Sequence, residues 1–331
     1  MNGSSDRPVI AVDAMGGDHG PAVVVPGAVA ALAPDSPFAV ALYGDREAVA
    51  AELAKLDTAG LPVSVVPCTQ EIEMGESPAA AIRGRPDSPI VKAVTDHKSG
   101  RASAVVSAGS TGAQVAASLI LLGRLPGVDR PAIATVIPTV AGRLLLLDAG
   151  ANTHAKPEHL VSFARMGVVY ARELFGVAEP RVGLLNIGGE AGKGNDLSVA
   201  GHELLRGAGL NFTGNVEGNE FLLGAADVVV TDGFTGNNTL KLVEGIARFL
   251  VALSRRPDLA EHERAAFGPV LGYLQREFSY EVAGGAMLLG VAGVSIIAHG
   301  RSSARAITNA VKVAWEQIRA DLPAKVAAAH A

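Results

Sequence analysis

A parallel β-sheet covered by helices on both faces is the fold this sequence predicts, and three observations carry that reading. Five times an apolar strand-like run passes into a loop of Gly, Asp, Asn or Ser and then into helical periodicity. The apolar runs, such as Leu144–Leu147 and Val228–Val230, are continuous rather than alternating, as strands buried on both faces must be. Aromatic residues make up only 4% of the chain while glycine supplies 39 of its 331 residues, which suits an Ala/Val/Leu core with many tight turns. In such a sheet every loop that follows a strand lies along one edge. The five glycine-bearing loops are therefore expected to share one crevice there, where open α/β sheets bind ligands.

The first repeat, VIAVDAMGGDHGP, is a strand, a loop with Asp13, Gly16, Gly17, Asp18 and His19, and a Pro21 suited to a helix's first turn. FAVALYGDREAVAAEL and LPVSVVPC supply a strand with its helix and then a further strand. EMGESPAAAIRGRPDSPIVKAVTDHKSG mixes Pro, Gly and charge and reads as a mobile loop ahead of a helix. The second repeat, ASAVVSAGSTGAQVAASLILLG, sets Ser107, Gly109, Ser110, Thr111 and Gly112 before a small-residue helix. The third, RLLLLDAGANTHAKPEHLVSFARMG, carries Asp148, Gly150 and Asn152 before a helix opened by Pro157 and Glu158. The fourth, RVGLLNIGGEAGKGNDLSVAGHELL, holds Asn186, Gly188, Glu190, Lys193 and Asn195. In the fifth, DVVVTDGFTGNNTLKLVE, Asp232 follows the strand, and a loop of Gly233, Gly236, Asn237 and Asn238 precedes a helix bearing Leu240, Leu242 and Val243. Unpaired backbone N–H groups at such a helix start would seat an anion such as phosphate.

After Leu240 two amphipathic helices joined around Pro257 and Asp258 are predicted, with Phe249, Leu250 and Leu253, then Val270, Leu271, Leu274 and Phe278, at helical spacings. A hairpin of this kind must cover the sheet, a second copy of itself or an acyl substrate. GVSIIAHG returns to a strand, and a helix from Ser303 to about Arg319 closes the fold. The expected organisation is a single α/β domain over 7–322, with the hairpin at about 240–280 as an insertion for dimer or acyl contacts and flexible termini at 1–6 and 323–331.

Composition and spacing exclude several classes. A net charge of −5 and the scarcity of aromatics argue against nucleic-acid binding. MNGSSDRP has no apolar core, so no secretory signal is expected, and the uncharged run Val282–Ala298 is broken by Gly284, Gly285, Gly290 and Gly293, so it reads as turn and strand rather than a membrane span. The lone cysteine, Cys68, rules out internal disulfides and cysteine–zinc clusters, points to a reducing compartment, and reads as a strand-end packing residue. The first loop is G-G-x-x-G, at Gly16, Gly17 and Gly20, not the dinucleotide fingerprint. Gly192, Lys193 and Gly194 lack the spacing of a P-loop. HAKPEH, His154–His159, is one residue longer than the inverted zincin pattern, and helix initiation explains it better. No metal and no cofactor are expected.

Lys193, flanked by Gly192, Gly194 and Asn195, is the charge best placed to reach an oxyanion at the sheet edge, with a solvated loop lysine as the plainer reading. Asp232 has two readings, a proton-transfer or orienting group and a helix cap. His19 likewise either faces substrate or braces its loop, and Asn186, Asn215, Glu217 and Asn237 are further polar candidates on the same edge.

Taken together, AVDAMGGDHGP, SAGSTGA, LLLLDAGAN, VGLLNIGGE with the following KGN, GNVEG and DVVVTDGFTGNNTLKLVEG resemble the PlsX family of bacterial phosphate acyltransferases, from about Val9 to Trp315. The resemblance implies a homodimer of a Rossmann-like three-layer α/β/α fold. It implies transfer of a fatty acyl group from acyl carrier protein to inorganic phosphate, and onward passage of the acyl phosphate to a membrane glycerol-3-phosphate acyltransferase in phospholipid synthesis. Phosphate is then the nucleophile, and no catalytic Ser or Cys is needed. The resemblance assigns charge stabilisation to Lys193 and orientation or proton handling to Asp232. His19 completes the catalytic candidates. The phosphate- and substrate-binding set expected around them is Gly16, Gly17, Asp18, Ser110, Thr111, Asn152, Asn186, Asn195, Asn215, Glu217 and Asn237. Arg255, Arg256, Asp258, Glu261, His262, Glu263 and Arg264 crowd the hairpin turn, so bilayer insertion there is not expected. Arg248, Arg255 and Arg256 could instead steer an acidic carrier. A cytoplasmic location is expected, with peripheral membrane contact left open. The alternatives are an NAD(P)-dependent oxidoreductase on a related scaffold and a non-catalytic carrier-binding protein.

Overall fold

The computed structural model describes residues 7–72, 76–277 and 284–331, in which the chain adopts the expected α/β class with largely parallel strands. The N-terminal segment 1–6 and Phe278 lie outside the described residues. Two compact units form, Met1–Pro131 with Gly284–Ala331, and Ala132–Ala283.

The first unit opens with β1 (Val9–Asp13), α1 (Pro21–Val29), β2 (Ala39–Gly44), α2 (Arg46–Leu53), β3 (Val63–Pro67), α3 (Pro78–Gly84), α4 (Pro89–Lys98), β4 (Ala104–Ser107) and α5 (Thr111–Ala117). The second unit follows with β5 (Ala132–Thr139), β6 (Gly142–Leu147), α6 (Pro157–Phe175), β7 (Val182–Asn186), α7 (Asp196–Arg206), β8 (Phe212–Glu217), β9 (Val228–Val230), α8 (Gly233–Leu253) and α9 (Glu261–Glu277). The chain then returns to the first unit through β10 (Ala286–Leu289), β11 (Ser295–Ile297), α10 (Ala304–Arg319) and α11 (Leu322–Ala328).

Within the first unit the strand order is β3-β2-β1-β4-β11-β10, parallel apart from β10. Within the second it is β5-β6-β9-β7-β8, parallel apart from the β5–β6 hairpin. Crossover helices make this possible, because parallel neighbours cannot be joined by a tight turn. Helix starts follow local chemistry: Pro enters the first turn of α1, α3, α4 and α6, and Asp45, Asn195, Asp232 and Ser303 accept backbone N–H groups as caps. The continuous runs are buried as expected. Leu144, Leu145, Leu146 and Leu147 are inaccessible to solvent, and α6 packs on their strand with Leu160, Phe163 and Met166 equally buried.

Three expectations need correction, and one strand is additional to those expected. The segment expected as a mobile loop ahead of one helix forms two, α3 and α4, each opened by Pro after Ser, and residues 73–75 lie outside the described residues. The strand β5 was not anticipated, because Ala132–Thr139 reads as irregular until β6 pairs with it through the turn at Gly142. The tail 323–331, expected to be flexible, holds α11: Leu322 and Val326, four residues apart, are each only 1% exposed, and that burial orders the turn. Finally, α8 begins at Gly233, so Gly236, Asn237 and Asn238 lie in a helix rather than a loop. Asp232 starts it early by accepting Thr235 N–H at 2.9 Å.

Candidate active site

In the second unit the strands β6, β9, β7 and β8 run side by side in one direction, so the loops after them share an edge. After β6, Asp148 is fully buried and organises the turn. Its Oδ1 accepts N–H groups from Ile133 (2.9 Å), Gly150 (3.0 Å) and Ala151 (2.9 Å), and its Oδ2 accepts Asn152 N (2.6 Å) and Nδ2 (2.9 Å). Asn152, an expected ligand contact, is thus committed to this brace on its donor side. The turn locks onto the start of α8, where Gly233 N donates to Asn152 O at 2.7 Å. Gly236 is there because nothing larger fits: a Cβ on it would stand 1.9 Å from Asp148 O.

Asp232 follows β9, and its carboxylate takes both Thr235 N and, at 2.7 Å, Thr235 Oγ1. The capping reading of this aspartate is what the geometry displays. Asn237 is exposed on the first turns of α8, near Gly150. At the end of β7, Asn186 Nδ2 donates to Lys193 O at 2.9 Å, and after it Asn195 caps α7 through Ser198 N and Oγ. Those bonds shape a loop from which Lys193 projects, 54% exposed, with Glu190 Oε1 4.0 Å from its ammonium. So long an ion pair in solvent holds the side chain weakly. Asn215 on β8 braces the same loop by donating to Gly188 O and Glu190 O, while His202 Nδ1 lies 3.1 Å from its Oδ1. Glu217 ends β8 half-buried.

The first unit gathers a second set after β1, β4 and β11, which are also neighbours. Asp13 ends β1 with 6% exposure; its Oδ1 accepts Met15 N and Gly16 N at 3.1 Å each, and its Oδ2 accepts the Ser107 hydroxyl at 2.7 Å. Burial pushes the Asp13 carboxyl above its ordinary range and nearby Glu71 adds to the rise, while those three donors pull the other way. Ser107 Oγ in turn accepts Gly109 N at 3.0 Å, and a Cβ on Gly16 would lie 2.6 Å from that same nitrogen, so the two loops touch backbone to backbone. Asp18 N donates to Gly300 O at 2.8 Å, joining the loop after β11. Asp18 and His19 are exposed, Ser110 accepts Ala113 N at the start of α5, and Thr111 is the first residue of that helix.

The expected residues thus fall into two sets: Lys193, Asp232, Asn152, Asn186, Asn195, Asn215, Glu217 and Asn237 on the edge of the second unit, and Gly16, Gly17, Asp18, His19, Ser110 and Thr111 on that of the first. Sequence reasoning left Asp13 and Asp148 out of the site. A signal was present: each follows an apolar strand and precedes Ala and a glycine, as D-A-M-G and D-A-G-A. Cys68 is buried and its thiol is pushed up to about 12, chiefly by burial, so it is no ready nucleophile.

The family described as "Fatty acid synthesis protein" matches residues 9–325. A phosphate acyltransferase of Desulforamulus reducens is 48% identical over 318 residues, covering 95% of this chain and 94% of the relative, and one of Moorella thermoacetica is 50% identical over 310 residues, covering 92% and 91%. In fold, the chain is similar to a phosphotransacetylase from Streptococcus pyogenes (TM-score 0.67, 16% identity, 95% of each chain) and to the EutD phosphotransacetylase from Staphylococcus aureus (TM-score 0.62, 16% identity, 95% of each chain). The chain therefore belongs to the fatty acid synthesis protein family, the PlsX phosphate acyltransferases whose motifs it carries.

Proposed function

We propose that this protein transfers a fatty acyl group from acyl carrier protein to inorganic phosphate. The observation that carries the reading is the near-full-length likeness to relatives named phosphate acyltransferase. A phosphate oxygen attacks the thioester carbonyl, the C–S bond breaks, and the departing thiolate takes a proton, leaving acyl phosphate and free carrier. The chain's own nucleophiles suit this division of labour: Ser107 is tied to Asp13 and Gly109, and Cys68 is buried and neutral.

Lys193 is the group for the developing oxyanion, since its ammonium reaches out of a loop that Asn186 and Asn215 hold in shape. Asp232 orients the start of α8 and His19 is the exposed candidate for the proton. In the first unit the loops at Gly16, Gly17, Asp18, Ser110 and Thr111, and in the second the asparagine-rich edge from Asn152 to Asn237, are the candidates for binding phosphate and the thioester end. The protein works as a homodimer in the cytoplasm and passes acyl phosphate to a membrane glycerol-3-phosphate acyltransferase. Exposed Leu242, Ile246 and Phe249 on α8 with Val270 and Tyr273 on α9 supply an apolar surface for the second copy. Among the described residues no helix is long and apolar enough to cross a membrane. Light scattering reads the mass directly, and a monomer at micromolar concentration removes the dimer.

The decisive assay incubates long-chain acyl carrier protein with and without phosphate. Phosphate-dependent release of free carrier is expected, and release that ignores phosphate overturns the reading. Lys193→Ala should lower turnover by about 100-fold or more, as loss of an oxyanion donor does. Asp232→Asn retains the cap, whereas Asp232→Ala costs about 1 kcal/mol of stability. Equal activity in Asn and wild type would reduce Asp232 to its capping role.

A further inference from the structure

Apart from the loops assigned above, the first unit holds a cavity of about 320 Å³ whose lining includes Met15, Asp45, Ala48, Cys68, Gln70 and Glu71. It lies at the strand ends where Asp45 follows β2 and Cys68 follows β3, and it begins one residue from Gly16. Its volume is at the lower end of the range for ligand clefts, about 300–1,000 Å³.

The wall is built rather than loose. Thr69 donates to Asp87 Oδ2 through both N (2.8 Å) and Oγ1 (2.6 Å), and Asp87 N donates to Gln70 Oε1 at 2.9 Å. Lys92 Nζ secures the clamp by donating to Asp87 Oδ1 at 2.6 Å and to Pro67 O at 2.7 Å. That ammonium and the Thr69 bonds hold the Asp87 carboxyl down to about 2, so the clamp stays charged at neutral pH.

The lining selects by chemistry. Asp45 and Glu71 present carboxylates, no Lys or Arg lines the cavity among the described residues, and the nearby Lys92 ammonium is paired with Asp87, so a phosphate or nucleotide would meet net like charge. A bare hydrocarbon tail would displace water from the exposed carboxylates of Asp45 and Glu71 and offer them nothing in return. What remains is a neutral chain that donates to carboxylates, accepts from the Gln70 NH2 group and lays its methylenes on Met15, Ala48 and Pro89. We propose that this cavity seats the neutral, amide-bearing pantetheine-type arm on which a carrier presents its acyl thioester. The inference rests on the acyl-transfer reading above. An arm seated here runs past Met15 toward the Gly16 loop, carrying the thioester end with it.

The test fills the cavity. Ala48 is half-buried on α2, and Ala48→Trp should raise the KM for acyl carrier protein by at least about tenfold, the loss of about 1.4 kcal/mol, while leaving the KM for phosphate unchanged. Calorimetry with free pantetheine should show binding to the wild type and none to Ala48→Trp. Glu71→Leu, an exposed position, removes one acceptor without burdening the fold and should weaken pantetheine several-fold. An unchanged carrier KM in a folded Ala48→Trp, or no pantetheine binding by the wild type, overturns the inference. Absence of phosphate-dependent carrier release in the wild type overturns the functional reading instead, and pantetheine binding then still decides the cavity.

Discussion

Asp13 and Asp148 occupy the same place in two different units, yet they carry unequal loads. Each ends a buried parallel strand, each is followed by alanine and glycine, and each gathers the N–H groups of its own turn. Asp148 accepts five donors, more than the roughly four lone-pair directions a carboxylate offers, so it is saturated and serves as a fixed brace. Asp13 accepts three, one of them a hydroxyl that can turn, and burial raises its proton affinity. The same turn motif therefore builds a rigid scaffold in one unit and a proton-sensitive one in the other. The glycine opposite each aspartate follows suit: Gly236 faces a carbonyl at 1.9 Å from its would-be Cβ, and Gly16 faces an amide nitrogen at 2.6 Å.

The rigid side should break hardest. Gly236→Ala drives a methyl group into the Asp148 carbonyl, which is backbone and cannot swing away, so unfolding by denaturant should register a loss of about 3–5 kcal/mol. A loss below about 1 kcal/mol would mean that α8 slides away easily and the two turns are not locked. Asp148→Asn comes next. Its oxygen can keep three N–H groups, but its NH2 then faces the two donors of Asn152, a cost of about 2–4 kcal/mol for groups left without an acceptor.

Much of this was legible beforehand, and what was not has a common cause. Strand–loop–helix punctuation located the loops that carry Lys193, Asn186 and Asp232, because continuous Val/Leu runs and following glycines are local signals. Asn215 reads in the sequence as a polar site residue, and its further part as a brace for the carbonyls of Gly188 and Glu190, 27 and 25 residues away, is visible only in the fold. Gly236 looked like a loop residue, since its necessity is visible only once Asp148 O stands beside it. The tail helix and β5 escaped for the same reason: each is ordered by burial or pairing with a distant segment, which overrides a weak local pattern.

The smallest effect separates the two aspartates most sharply. In Asp13→Asn the side-chain oxygen keeps Met15 N and Gly16 N, and the Ser107 hydroxyl can rotate to accept from the new NH2, so below the titration range the change should cost under about 1 kcal/mol. In the wild type the folded carboxyl sits above the ordinary 3.8, so between that value and the folded one the native state binds more protons than the unfolded chain. Wild-type stability contributed by this group is thus present at low pH and lost as pH rises through the folded value. Asn cannot titrate and loses nothing. The difference between Asp13→Asn and wild type should therefore move in the variant's favour as pH rises above the ordinary 3.8, measured as denaturant midpoints with slopes held equal. A difference that stays flat would place Asp13 at its ordinary value and make the two turns equivalent braces.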